Sequence, residues 1–301
     1  MDTANDKALQ RFAELMIEKI KQVEDNWQKP WFGIKGGGLP QNIEGRTYNG
    51  VNSFMLFLLS EKEQYSLPVY MTFMQAKDNG LNILKGEKSF PVIYWNFSVR
   101  DKNGKKIPFD VYKNLDKNEQ QEYKVTPFLK TYNVFNVQQT NLQETKPEKW
   151  EALKEQFKIP AIKDEQGMLT VPLIDAMVRE QQWICPIYSK EGNGAYHARG
   201  EENHIVVPLK GQFKDGENFY STLLHEMAHS TGEPEHLNRE KGVIFGDTQY
   251  AKEELVAELT SATVGQSLGI STHIREENAM YLKNWLGALK EDPKFIYNIL
   301  A

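Results

Sequence analysis

One cysteine in 301 residues, Cys185, leaves nothing to form an intramolecular disulfide and fits a reducing compartment. Long apolar runs are missing too. The longest, FMLFLL at 54–59, falls far short of the ~20 residues that span a bilayer. The N-terminal stretch MDTANDKALQRFAELMIEK mixes charged and apolar residues throughout, without the uninterrupted apolar core of a secretory signal. A cytoplasmic protein with no membrane role is expected. The triple glycine at 36–38 is not followed by the Lys-Ser/Thr pair of a P-loop, which argues against nucleotide hydrolysis on that loop. Repeats and low-complexity tracts are likewise absent.

What is present describes a globular chain: 40% hydrophobic, 26% charged and 11% aromatic residues. That length accommodates two domains, each with its own core. The net charge of −5 is unevenly divided. Residues 1–145 hold 19 Lys+Arg against 17 Asp+Glu (+2), and residues 146–301 hold 17 against 24 (−7). A nucleic-acid surface in the first half is permitted by this balance, not demonstrated.

Along the chain, apolar residues from Leu9 to Trp27 recur at intervals of three and four, one face of a helix. A glycine- and proline-rich loop follows, then helices over about 51–62 and from Thr72 to Gly80. NILKGEKSFPVIYWNFSVR suggests two strands around a KGEK turn, DKNGKK carries a hairpin signal, and 131–140 suggests a closing strand. The first domain is therefore expected to be α+β over 1–145, with the polar stretch at 141–150 as the boundary to a second domain over 146–301. Helices at 147–157 and 172–183, a strand pair within 185–209, and helices near 218–231, 250–268, 275–291 and 293–300 are expected in the second.

The chemistry is concentrated in HEMAHSTGEPEH, 225–236. Residues four apart on a helix differ by about 40° in projection, so His225 and His229 can reach one ion. Glu226, turned about 100° away, is placed to act on a water at that ion and is the candidate general base. Zinc with three protein ligands and an open position lowers the pKa of its water to roughly 7, which suits peptide hydrolysis. The third ligand has several candidates. The glycine three after His229 fits a metzincin, but the next histidine, His236, arrives one residue late and Glu235 takes its place. AKEELVAELTSAT offers Glu253, Glu254 and Glu258 instead. Glu254 and Glu258 share a face, so Glu254 is expected to bind the ion while Glu258 orients a ligand histidine. Glu253, about 100° away, is expected to face solvent or a loop. His197 and His204 are expected to be exposed or backbone-bonded, and His273 is given no role.

With these residues in place the chain resembles the ArdC-type antirestriction proteins. The likeness rests on YNGVN at 48–52, TFMQAKDNG at 72–80, LKGEKSFPVIYW at 84–95, FYSTLLHEMAHSTG, YAKEELVAEL and AMYLKNWLGALKEDP, in that order. Asn203 and His236 depart from the expected pattern. The resemblance implies an N-terminal α+β domain that binds single-stranded DNA and a C-terminal zincin-like (gluzincin-type) metallopeptidase domain. It also implies a zinc ion, protection of mobile-element DNA from restriction, and a protein or peptide substrate. Binding a single strand requires aromatic faces and cations along the phosphates. Trp31, Lys35, Arg46, Tyr48, Lys85, Lys88 and Tyr94 are the residues expected to supply them, with Trp95 nearby. The alternative is an endopeptidase acting on an intracellular protein, with the first domain as a targeting module.

Overall fold

The computed structural model describes residues 3–26, 30–33, 37–239, 248–274, 276–295 and 299. Two of the expected positions, Trp27 and Lys35, lie outside them. The first helix, Ala4–Asp25, opens on a reciprocal capping box between Thr3 and Asp6 and buries Leu9, Phe12, Met16, Ile20 and Val23 along one stripe. Beneath it runs Gly50–Glu63, whose residues from Val51 to Ser60 are all buried, as a helix enclosed on every side must be.

The first sheet has five strands: β1 (Gln41–Asn42), β2 (Val69–Met71), β3 (Phe90–Asp101), β4 (Lys106–Ile107) and β5 (Tyr123–Asn136), in the order β1-β2-β5-β3-β4. β1 runs parallel to β2, and the other pairs are antiparallel. β3 and β5 form a long ribbon in register from Phe90 opposite Val134 to Asp101 opposite Tyr123. Where the other edge of β3 would be bare, the Asn52 amide substitutes for a strand: its Nδ2 donates to the Ile93 carbonyl at 2.6 Å and its Oδ1 accepts the Ile93 N–H at 2.9 Å.

Two differences from the sequence reading have local causes. Residues 82–89 do not form a strand beside KGEK. Gly86 adopts φ +91° in a turn, and the segment makes only an isolated bridge, Ile83 to Thr140. The closing strand starts at Tyr123 rather than 131, because pairing with β3 carries it through Pro127, which has no N–H to give to the ladder. The DKNGKK turn forms as expected, with Gly104 at φ +81° and the Asp101 carboxylate accepting the amides of Asn103 and Lys105.

In the second half, a small hairpin of β6 (Ile162–Lys163) and β7 (Leu169–Thr170) precedes a three-stranded sheet. Its strands are β8 (Ile187–Lys190), β9 (Tyr196–Ala198) and β10 (His204–Pro208), in the order β8-β10-β9. The expected strand pair is thus a mixed sheet, with β10 parallel to β8 and antiparallel to β9. The helix Pro172–Arg179 stops earlier than expected, and Gln181 takes the left-handed φ of 51°. Helices Gly216–Ser230 and Thr248–Ser267 pack against each other, and the expected 275–291 helix is split into Glu276–Ala279 and Leu282–Glu291. Among the described residues no helix is long and apolar enough to cross a membrane.

One hydrophobic core crosses the chain's midpoint. Phe12, Met16, Trp31, Phe54 and Phe57 from the first half pack with Ala251, Leu255, Leu259, Leu282 and Trp285 from the second. A smaller cluster does the same around 141–150, where Leu142 and Trp150 pack on Val69 and Met71. The polar stretch expected as a boundary is therefore seated on the first sheet.

Candidate metal centre

The motif helix, Gly216–Ser230, begins at Asp215, whose carboxylate accepts the Asn218 N–H at 2.8 Å. Its apolar side, including Phe219, Tyr220, Leu223 and Met227, packs on Ile187, Ile205 and Val207 of the three-stranded sheet. That leaves His225 and His229 to face the helix Thr248–Ser267, to which the motif helix is also tied by Ser261 Oγ donating to the Ser221 carbonyl at 3.0 Å.

Three ligand atoms converge there. The Nε2 atoms of His225 and His229 lie 3.0 Å apart; Glu254 Oε2 is 3.2 Å from His225 Nε2, and Glu254 Oε1 is 3.5 Å from His229 Nε2. His225, His229 and Glu254 form a group whose ligand atoms all fall within 4.8 Å of one another, and all three are buried. Two imidazole nitrogens and a carboxylate aimed at one point make a donor set suited to a divalent transition metal. Glu226 is buried on the same helix, near enough for its charge to favour protonated His229.

Carboxylates stand behind the histidines as well, Glu258 on the side the sequence suggested and Glu253 in addition. Glu253 takes the second of the places expected for it, against the loop that carries Arg239 rather than in solvent: it is 3% exposed, and its Oε1 also meets His229 Nδ1 at 3.1 Å. Arg239 holds it with two bonds, Nε to Oε2 at 2.9 Å and Nη2 to Oε1 at 2.8 Å, and also donates to the carbonyl of Ala228. Glu258 Oε1 approaches His225 Nδ1 at 3.6 Å. Asn278, from the split C-terminal helix, donates through Nδ2 to both Glu254 Oε2 and Glu258 Oε1 at 2.8 Å. A carboxylate thus stands behind each imidazole, hydrogen-bonded to His229 and at ion-pair distance from His225; at metal sites such carboxylates fix ring orientation. Glu235 is exposed on the turn after the helix, as is His236.

These contacts set the charges. Burial raises the carboxyl of Glu254, but hydrogen bonds from His225 and His229 outweigh it and hold the group far below the carboxylate range. Glu253 is likewise pushed up by burial and brought down to about 2 by Arg239 and His229. Burial disfavours protonated His229, yet its bonds to Glu253 and Glu254 raise it to about 9. A cation binding here therefore displaces a proton from His229.

The residues expected on DNA separate into groups. Trp31 is 1% exposed within the shared core, edge-on to Phe54, so it presents no face for stacking. Arg46, Tyr48 and Tyr94 gather around one cleft on the first sheet. Lys85 and Lys88 are exposed on the 82–89 turn and do not line it. His197 is buried, with Nε2 bonded to Asn203 Oδ1 at 3.0 Å, rather than exposed. Arg239 and Asn278 carried no signal of their own in the sequence, since each reaches the site from a separate segment.

Known proteins resemble this chain in sequence and in fold. Residues 6–135 match the family model for the N-terminal domain of the anti-restriction factor ArdC, and residues 174–300 match that for a zincin-like metallopeptidase. The crystal structure of metal-free antirestriction protein ArdC from the R388 plasmid superposes with a TM-score of 0.69 at 27% identity, covering 97% of this chain and 92% of that one. Its Mn(II)-bound counterpart gives 0.65 at 25% identity, covering 96% and 92%. A DNA primase TraC of Escherichia coli is 33% identical over 97% of this chain, which spans about a quarter (26%) of that relative's length. The uncharacterized protein y4eC of Sinorhizobium fredii is 26% identical over 96% of this chain and 86% of its own. The chain is therefore of ArdC type in its organisation, an ArdC-type N-terminal domain followed by a zincin-like metallopeptidase domain.

Proposed function

We propose that this chain is an antirestriction protein of a mobile element that acts in the cytoplasm, binds single-stranded DNA through its first domain and carries a zinc-type peptidase centre in its second. The convergence of His225, His229 and Glu254 carries the peptidase part of this reading. The ArdC-type first domain and the TraC and ArdC relatives support the DNA part.

His225 Nε2, His229 Nε2 and a Glu254 oxygen would hold the ion, zinc or another divalent metal such as the Mn(II) of the R388 relative. A bound divalent ion supplies Lewis acidity, polarising a peptide carbonyl and easing deprotonation of water. Glu226 takes the proton from the attacking water at its carboxylate and delivers it to the leaving nitrogen. Glu253 and Glu258 keep the Nδ1 sides of His229 and His225 turned away from the ion, and Asn278 keeps one Glu254 oxygen from rotating. A protein or peptide is the substrate class, and Arg46, Tyr48 and Tyr94, with Lys35, Lys85 and Lys88, are the candidate DNA contacts.

The test is transfer of unmodified plasmid DNA into a restricting host that expresses wild type, Glu226→Gln or Glu254→Ala. Protection by wild type and its loss in both variants is expected. Equal protection by Glu226→Gln contradicts the peptidase part, and no protection by wild type contradicts the antirestriction part.

A further inference from the structure

The β3–β5 ribbon runs out beyond the core, and its two faces differ. Alternate residues of a strand share a face, so Tyr94, Asn96, Ser98 and Arg100 stand opposite Lys130, Phe128, Thr126 and Lys124 in turn. That stretch carries three cations and no carboxylate. The reverse face presents Trp95, Phe97 and Val99, with Phe97 stacked on Phe109 at 4.4 Å.

At the base of the cation-bearing face is a cleft of about 430 Å³ lined by Arg46, Tyr48, Thr72, Gln75, Tyr94 and Tyr132, among others. A second cleft of about 310 Å³ adjoins it and shares Arg46, Tyr94 and Trp95. The Tyr94 and Tyr132 rings are half-buried, 5.8 Å apart, with a cation over each: the Arg46 guanidinium 5.8 Å from Tyr94 and the Lys130 ammonium 4.8 Å from Tyr132. Both cations are exposed, and neither has a carboxylate partner among the described residues. The amide of Asn96 has no hydrogen-bond partner there either and faces the same cleft.

Rings fixed from behind by the core, with unpaired cations beside them, suit a ligand that is flat, aromatic and anionic at regular intervals. We propose that this face, from the Arg46–Tyr94 cleft out to the Arg100–Lys124 pair, is the track on which single-stranded DNA lies. Bases stack on Tyr94 and Tyr132, phosphates meet Arg46, Lys130, Lys124 and Arg100, and Asn96 reaches a base edge. From Tyr94 to Arg100 the track is about 20 Å long. The assignment rests on the single-strand reading proposed above and names the surface that performs it.

Fluorescence anisotropy of a short labelled oligonucleotide, titrated with the whole chain at several salt concentrations, tests it. Four phosphate contacts give a slope of log K against log salt of about −3, at about −0.7 each. Arg46→Ala with Lys130→Ala should halve that slope and weaken binding, while Lys154→Ala with Lys158→Ala, which removes two exposed charges from the second half, should change neither. Tyr94→Ala should bind about fivefold more weakly or worse, and Tyr94→Phe, which keeps the ring, should stay near wild type. The track is overturned if Arg46→Ala/Lys130→Ala matches wild type, or if the charge control loses as much. Duplex bound as tightly as single strand, or RNA bound more tightly than DNA, overturns it too. A wild type that binds no oligonucleotide at all sinks the single-strand reading itself.

Discussion

Asn278→Leu removes the polar link between two carboxylates of the candidate metal centre while keeping the side chain's bulk. In wild type, Nδ2 of this 1%-exposed residue spends one hydrogen on Glu254 and the other on Glu258, each at 2.8 Å. Hydrogen bonds to charged groups contribute about 1.5–3 kcal/mol each, and loss of a group that orients a metal ligand weakens metal binding about 10- to 100-fold. With leucine there, Glu254 either rotates away or takes up a proton that competes with the ion. Calorimetric titration of the chelated protein with Zn(II) or Mn(II) should show Kd raised about 10- to 100-fold, or about 1.4–2.8 kcal/mol. Asn278→Ser, which keeps one donor, should fall between and guards against a leucine variant that fails to fold. Wild-type Kd in a folded Asn278→Leu protein would refute the reasoning.

Glu253 is held at about 2, below the ordinary 4.5, by Arg239 and His229, so its stabilisation is complete above the unfolded value and lost as pH falls toward the folded one. Urea unfolding of metal-free protein from pH 5 to pH 2 should lose about 3 kcal/mol through this group. Glu253→Gln should flatten that slope, and an unchanged slope would count against the clamp. Leu255→Ala opens a cavity in the core shared by both halves and should cost about 2–5 kcal/mol in a thermal or urea melt. A cost well under 1 kcal/mol would show that the two halves do not depend on that packing. Chelation should lower Tm, since metal at 100 times Kd stabilises by about 2.7 kcal/mol; a Tm independent of metal concentration would contradict a folded-state site.

Much of the fold was legible where local rules suffice. The spacing of Leu9, Phe12, Met16 and Ile20 marks a helix because one face is buried, and Thr72 marks a start because its hydroxyl accepts the Gln75 N–H. The strand from Tyr123 was hidden because its outer half is exposed and interrupted by Pro127, and only pairing with β3 defines it. At the metal centre, the spacing of His225 and His229 and the placing of Glu254 on a later helix could be read from the chain. Glu253 could not, because the helix projection turns it from Glu254 but says nothing of His229 standing on that side with Arg239 behind. Trp31 failed as a DNA contact for a similar reason: neighbouring lysines suggested a surface, and a core spanning both halves took the ring instead.

The metal content of purified protein, after loading with Zn(II) or Mn(II) and dialysis, tests the triad most directly. Wild type and Glu253→Ala should each be measured beside Glu254→Ala. Wild type should hold one ion per chain, Glu253→Ala should hold it with reduced affinity, and Glu254→Ala should lose most of it. Full retention by Glu254→Ala would contradict the assignment of His225, His229 and Glu254 as the metal ligands.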